Sequence, residues 1–485
     1  MKQLYRNIGF VGVSQFLYTG LAFVLVPFVA RYLHSEGYGL YNVATILGFY
    51  LGLMNDLGVS TLITREISKS KLIAARLVAE AMMLKSLLTI FASLIIYFYV
   101  RFSRMDGPAT QAVFIFCIAS IISSYANSMI AVFRGFQKME LEALATLIDK
   151  LTSVILGIFF LAQGYGIRTF LFSFVVSESI KTGVCYYLLR RTLRPFHFSF
   201  HVRRASIILK KSVPFGLTVF LAVCYNYLAV LLLHSLTTLE EVGFYTAGLK
   251  LLSLTAILPT VLATAFLPQL TQARAKPEAL TKIFSSGLKY LLFFSIPLIP
   301  FISLYADTLI HILFGAGFEP SVPAMRILVW ASFAQMANTY FVALYIAADE
   351  QKVIVKLQIV ALCLSLPLNW LFIRSFGFLG ASVITVITEW GILLSILIHS
   401  RRHVLTFPGF YRKLAPFMLR IFSAALIAFL IAAWLKPKDA VHLIYPVGSV
   451  LVYLITVLLV GGNDTLLFYG KLAARLRSIT AGFSR

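Results

Sequence analysis

Glu36-Gly37-Tyr38-Gly39-Leu40-Tyr41 returns 204 residues later as Glu240-Glu241-Val242-Gly243-Phe244-Tyr245, a shared Glu-x-x-Gly-x-Tyr at the head of an apolar stretch. A second pair follows in the same order. Gly166 is followed twelve positions on by Glu178 within Val176-Ser177-Glu178, and Gly377 twelve positions on by Glu389 within Ile387-Thr388-Glu389, at an offset of 211. Either match alone is within the reach of chance in so apolar a chain. Together, in order and at similar offset, they read as a duplication with a short insertion. Two halves of like orientation form a parallel repeat about an axis along the membrane normal, which in transporters encloses a central site.

The chain around these copies is one that water cannot solvate. Of 485 residues 60% are hydrophobic and only 13% charged, and the mean hydropathy is +0.88. A soluble domain cannot be so poor in charge over such a length; hydrocarbon must cover most of the surface. Windows of about 20 mostly apolar residues predict fourteen spans, near 7–30, 38–64, 77–100, 110–133, 142–163, 166–189, 213–235, 243–268, 283–304, 322–347, 353–373, 378–400, 416–435 and 443–461. The first, Asn7 to Ala30, is too long for a signal peptide and lacks a clear cleavage site, so it is expected to be retained. The expectation is an all-α integral membrane protein of about 14 transmembrane helices. It has a six-helix lobe over 1–189, an interfacial cytoplasmic linker over 190–212, a second six-helix lobe over 213–400, and over 401–485 two further helices with a basic tail.

The net charge of +23 would suggest nucleic acid in a soluble protein; here it reports topology. With a cytoplasmic N-terminus, and span-edge residues counted with their loops, inside segments hold 28 of the 42 Lys and Arg and outside segments 7. Arg65, Lys69, Lys71, Arg76, then Arg190 through Lys211, and Arg401, Arg402, Arg412 and Lys413 make up much of the inside set. Such a bias orients short loops and puts both termini in the cytoplasm of a cell whose cytoplasmic membrane holds the protein. In the linker, Pro195-Phe196-His197-Phe198-Ser199-Phe200 precedes Arg203, Arg204, Lys210 and Lys211, a composition suited to an anionic leaflet. Cys117, Cys185, Cys224 and Cys363 are widely separated in apolar stretches and read as small hydrophobes. The eight histidines are scattered, so no metal site is expected.

Further stretches carry a family resemblance. Val26 through Tyr41, Asp56-Leu57-Gly58-Val59-Ser60 with Arg65-Glu66 following, Phe133-Arg134-Gly135-Phe136-Gln137-Lys138-Met139 and Gly377-Phe378-Leu379-Gly380-Ala381 resemble the loop motifs of polysaccharide and O-antigen flippases of the multidrug/oligosaccharidyl-lipid/polysaccharide exporter superfamily. His34 and Ser35 stand where many members have Gly and Pro. The resemblance covers at least the first twelve helices. It implies a MATE-like architecture, alternation between inward-open and outward-open states, and a polyprenyl-diphosphate-linked oligosaccharide as cargo for O-antigen or capsule-type assembly, with glycan polymerase or assembly proteins as partners.

The residues themselves point to an anionic cargo. A charge at the bilayer centre costs at least ~2.5–3.5 kcal/mol, so such groups face a cavity or a partner. Basic span residues, Lys85, Lys150, Lys181, Lys250, Lys289, Arg326 and Arg420, outnumber the acids Asp56, Glu80, Asp149, Glu178 and Glu389. The five lysines are the candidate lining of a cationic cavity for a diphosphate, with Arg31 and Arg65 at its ends. Each has a structural alternative: Lys85, Lys150 and Lys289 lie within snorkelling reach of a helix end, Lys181 can pair with Glu178 at i,i+3, and Arg326 and Arg420 can anchor at the interface. Asp56, Glu178 and Glu389 are candidates for coupling to an H+ or Na+ gradient, or for helix-packing ion pairs. Pro27, Pro259, Pro297, Pro300 and Pro367 interrupt spans and can bend them. No phosphate-cradling nucleotide loop occurs, which argues against ATP hydrolysis, and no cofactor is expected. A cation-exporting drug transporter would need acids in the cavity, a glycan polymerase a sizeable exterior loop, and a peptidoglycan-precursor flippase would share fold and mechanism.

Overall fold

The computed structural model describes residues 2–103, 105–192, 202–405, 410–435, 448–449 and 452–456. Every regular element among them is helical. Within hydrocarbon the backbone must satisfy itself, and a continuous helix does this over an apolar stretch. The order is α1 (Lys2–Asp56), α2 (Val59–Lys69), α3 (Ala74–Phe102), α4 (Gly107–Gly135), α5 (Met139–Ala162), α6 (Ile167–Thr192), α7 (Val202–Leu236), α8 (Leu239–Ser253), α9 (Ile257–Gln272), α10 (Pro277–Leu304), α11 (Ala306–Phe314), α12 (Ser321–Ala347), α13 (Gln351–His403) and α14 (Phe410–Leu435). Nine helical stretches among the described residues are long and apolar enough to cross a membrane. The chain is a multi-pass membrane protein.

Breaks within the helices fall both between predicted spans and inside them. The first two predicted spans are the two parts of α1, divided at His34 in the gap between them, where the φ of 57° lies in the left-handed region. The second then continues past Asp56 through Leu57 (φ 37°) and Gly58 (φ 80°) into α2. The eighth is divided into α8 and α9 by a tight turn at Leu254–Ala256. Pro259 lacks an N–H and its ring crowds the carbonyl four residues back, which suits a helix beginning at Ile257. Pro27, Pro297, Pro300 and Pro367 remain inside helices. The predicted eleventh and twelfth spans are the two parts of α13, divided at Gly377 (φ 56°) in the gap between them, and α11 is a nine-residue helix between the ninth and tenth predicted spans. The fourteenth predicted span, 443–461, lies largely outside the described residues, as do Pro195–Phe200 and the basic tail.

The chain divides into two compact units. The first holds Met1–Thr246, Leu313–Gly317 and Asn369–Phe378. In it α4 lies against α1 and α6, and α5 against the same two helices. Ala126, Ala131, Ala145 and Ala81 are buried where α2, α3, α4 and α5 meet. Lipid does not drive helices together as water does, so small residues that let backbones approach are the currency of packing. The second unit holds Ala247–Ile312, Phe318–Leu368 and Leu379–Arg485. There α12 packs on α9 and α10, and α10 on α14. The rings of Phe284 and Tyr340 stack at 4.9 Å between α10 and α12.

The duplication inferred from sequence has a structural counterpart that sequence did not show. Gln137, after α4, and Asp349, 212 residues on after α12, both have φ 59°. Around Gln137, Lys138 N donates to Phe133 O at 2.9 Å and Gln137 N to Arg134 O at 3.0 Å; around Asp349, Glu350 N donates to Tyr345 O at 2.8 Å and Asp349 N to Ile346 O at 3.2 Å. Both are left-handed C-terminal caps that satisfy the last helical carbonyls.

Candidate functional site

Lys85, on α3, is completely buried in the first unit. Its Nζ lies 2.5 Å from Asp56 Oδ1 and donates to Ser124 O at 2.9 Å, Ser124 Oγ at 3.2 Å and Ser60 Oγ at 3.3 Å. The break at Leu57–Gly58 sets this geometry. Helix α1 ends at Asp56, and α2 restarts so that Ser60 Oγ donates to Asp56 Oδ1 at 2.5 Å. Gly58 is required there twice: its φ is positive, and a Cβ would stand 2.5 Å from Ser212 O. Beside it Asn55 is wholly buried, and neither amide atom has a hydrogen bond among the described residues.

A second network joins α4, α5 and α6. Lys181 pairs with Glu178 one turn back, approaches Asp149 Oδ2 at 3.6 Å and donates to Ser123 Oγ at 3.2 Å. Two carboxylates thus share one ammonium. Lys150, next to Asp149, is buried with its Nζ 4.9 Å from the centre of the Tyr18 ring. Ser123 and Ser124 are neighbours on α4, so one dipeptide touches the ammonium groups of both Lys85 and Lys181.

The other candidates stand apart from these networks. Lys250, on α8, is half-buried, and among the described residues its ammonium has neither hydrogen bond nor ion pair. Lys289 lies 5.3 Å from the Phe417 ring centre. Arg31 is exposed. Arg65 is exposed, 3.8 Å from Glu66 and 5.9 Å from the centre of the Phe215 ring. The Glu66 carboxyl is held below its usual range, chiefly by the hydrogen bond from Lys69 at 2.8 Å. Glu389 is buried and accepts from Asn338 Nδ2 through its side chain at 2.9 Å and its carbonyl at 3.1 Å.

The repeated glycines form a backbone contact. A Cβ on Gly39 would overlap Leu239 O, and a Cβ on Gly243 would overlap Ser35 O. Leu239 and Ser35 each stand four residues before the partner glycine, so the crossing of α1 and α8 is reciprocal. Ser35 Oγ also donates to Glu240 Oε1 at 3.2 Å. Glu241 Oε2 accepts from Phe378 N at 2.9 Å and caps the second half of α13, while Gly377, with positive φ, leaves room for that carboxylate.

In the sequence Ser60 stood out only within a family motif and Asp149 only as one of the span acids, and Ser123, Ser124, Tyr18 and Asn338 did not stand out at all. The i,i+4 spacing of Asp56 and Ser60 was a usable signal; the meeting of α4 with α3 and α6 left none. Among the described residues no group of His, Cys, Asp or Glu is arranged to hold a metal ion.

Residues 4–274 match the model of a family described as polysaccharide biosynthesis protein. A Haloferax volcanii protein named for a low-salt glycan biosynthesis flippase is 22% identical over 374 residues, 76% of this chain and 77% of its own. The lipid II flippase MurJ, in an inward closed conformation, superposes with a TM-score of 0.78 at 17% identity, over 96% of this chain and 100% of that one. An inward-facing multidrug resistance transporter of the MATE family and MOP superfamily superposes with a TM-score of 0.65 at 18% identity, over 80% of this chain and 94% of that one. The MATE-like helical architecture is therefore present, and the proteins it resembles are named for transport, not catalysis.

Proposed function

The chain belongs to the polysaccharide biosynthesis protein family, and we propose that it is a flippase. Its cargo in this reading is a polyprenyl-diphosphate-linked oligosaccharide, moved from the cytoplasmic to the outer leaflet of the cytoplasmic membrane by alternating access, with both termini cytoplasmic. The glycan flippase named among its relatives supports the class. The observation that carries the choice of an anionic cargo is Lys250, a half-buried ammonium with no ion pair among the described residues. An unneutralised charge at such depth is costly unless an anion or water meets it.

The lysines then divide by what already holds them. Lys85 is enclosed by Asp56 and two serines, and Lys181 by Glu178, Asp149 and Ser123. A diphosphate reaching Lys181 must displace carboxylates, whereas Lys250 is available as it stands. Lysine suits such a cargo, because a mobile point charge can hold a phosphate in transit and release it. Lys150 and Lys289, over aromatic rings, are intermediate, and Arg31 and Arg65 serve at the ends of the cationic cavity. Asp56, Glu178 and Glu389 are the coupling acids in this reading, with an H+ or Na+ gradient as the source of energy. The lobes 1–189 and 213–400 are its two moving parts.

Reconstitution into vesicles tests the reading. Candidate lipid-linked glycans, including a peptidoglycan precursor, are loaded on one leaflet and their protection from an external enzyme is scored. Protein-dependent loss of protection for a lipid-linked oligosaccharide is expected, and failure with every such lipid removes the flippase reading. The variant Lys150→Gln/Lys181→Gln/Lys250→Gln is expected to lose transport. Undiminished transport by that triple variant removes the cationic site and leaves the flippase class standing.

A further inference from the structure

A groove of about 190 Å3 opens where α2, the Lys71–Ile73 turn, α3 and the first turns of α7 meet, all within the first unit. Leu62, Ile73, Leu77, Ile207 and Ile208 make it largely apolar, and its charged groups are Glu66, Glu80 and Lys211. The groove is too small for a whole lipid.

The charged groups lie at different depths along the groove. Glu80 is 6% exposed, and Arg76 Nε, its partner one turn away at 3.2 Å, is on an exposed side chain. Glu66 spends one oxygen, Oε1, on Lys69 and Arg65; its Oε2 has no partner among the described residues. Lys211 is exposed and has no ion pair among them. The rim therefore offers carboxylate oxygen for a cation and an ammonium for an anion, a short way apart.

The surroundings favour a lipid over a soluble ligand. Leu72, at the tip of the α2–α3 connection, is 96% exposed between Lys69, Lys71 and Arg76. An apolar residue presented among basic ones belongs at a bilayer surface. Beyond the groove α3 presents Leu87, Ile90 and Phe91 outward, as a lipid-facing helix does. A purely anionic head group would meet two carboxylates at the groove. A choline head group has no N–H to give them. A primary ammonium on a phosphodiester answers both charges, because charge-assisted N–H bonds to carboxylate are among the stronger ones.

We propose that this groove binds the head group of an aminophospholipid, phosphatidylethanolamine in class, with its ammonium on Glu66 and Glu80 and its phosphate on Lys211. The acyl chains run from the apolar floor into the bilayer. This binding is independent of the cargo and does not rest on the flippase reading.

Native mass spectrometry of the full-length chain, released from micelles containing equal phosphatidylethanolamine, phosphatidylcholine and phosphatidylglycerol, tests it. Phosphatidylethanolamine and phosphatidylcholine share the phosphate and the net charge, so their ratio reports the N–H bonds alone. Retention favouring phosphatidylethanolamine by on the order of tenfold is expected. Glu66→Gln, at a partly exposed position, and Glu80→Gln should each reduce that ratio towards one, while Lys211→Gln lowers retention of both lipids. Equal retention of the two zwitterionic lipids, a preference for phosphatidylglycerol, or a ratio unchanged in Glu66→Gln/Glu80→Gln would overturn the proposal. Should Glu80→Gln fail to fold, Glu66→Gln alone decides.

Discussion

Lys85 is surrounded by oxygens of Asp56, Ser60 and Ser124, whereas Lys250 has no ion pair among the described residues. The same residue type therefore predicts opposite phenotypes. Lys85→Met leaves the Asp56 carboxylate without its cation, and losing one partner of a buried pair costs about 3–5 kcal/mol. Because Asp56 is 24% exposed the lower end is expected, read from thermal unfolding in detergent. Lys85→Met/Asp56→Asn should recover most of the loss; no recovery would mean that the pair is not the source. Lys250→Gln should leave unfolding unchanged and reduce transport, with apparent affinity for cargo falling. A Lys250→Gln protein with unaltered transport would remove that lysine from the cargo path. Little of this difference was legible in sequence. Both lysines read as charges in apolar windows, and the serines that enclose Lys85 come from α2 and α4.

Helix crossings decide what the repeated glycines are for. Sequence marked Gly39 and Gly243 by their shared motif, but not that each lies on the carbonyl four residues before the other. A methyl group at either position must push α1 and α8 apart, and overpacking of this kind costs about 1–3 kcal/mol. Gly39→Ala and Gly243→Ala are each expected to lower the unfolding temperature and to impair transport. Gly52→Ala, on the same helix α1 with open space around it, is the control and should be neutral or slightly stabilising. Equal effects at Gly39 and Gly52 would show that the close crossing is unimportant. At the two matched caps, Gln137 and Asp349 hold a left-handed conformation that costs a non-glycine residue about 1–2 kcal/mol. Gln137→Gly should therefore not destabilise. Asp349→Gly relieves that cost and removes an ion pair with Arg274 between exposed side chains, worth about 0–1 kcal/mol, so it should not lower the unfolding temperature either.

On the scale of the whole molecule the prediction concerns orientation. With Cys117, Cys185, Cys224 and Cys363 replaced by Ser or Ala, Thr237→Cys is expected to react with a membrane-impermeant thiol reagent added outside intact cells. Lys71→Cys should react only after the membrane is opened. The reverse pattern would invert the protein. The fold class was legible from hydropathy alone, since lipid imposes one rule along the entire chain. The joints at His34 and Gly377 were legible too, since both fall in the gaps between predicted spans, whereas the turn at Leu254–Ala256 lies inside one predicted span.

By itself the sequence determined that the chain is a helical membrane protein, that parts of it are duplicated, and to which family its loops belong. Each of these rests on composition or local pattern, which the bilayer and the backbone read residue by residue. Only the tertiary structure decided which lysines are already neutralised, which glycines touch backbone, and that Ser123 and Ser124 serve two ammonium groups at once. Those outcomes depend on side chains far apart in sequence arriving within about 3 Å of each other, and no periodicity along one helix encodes its neighbour.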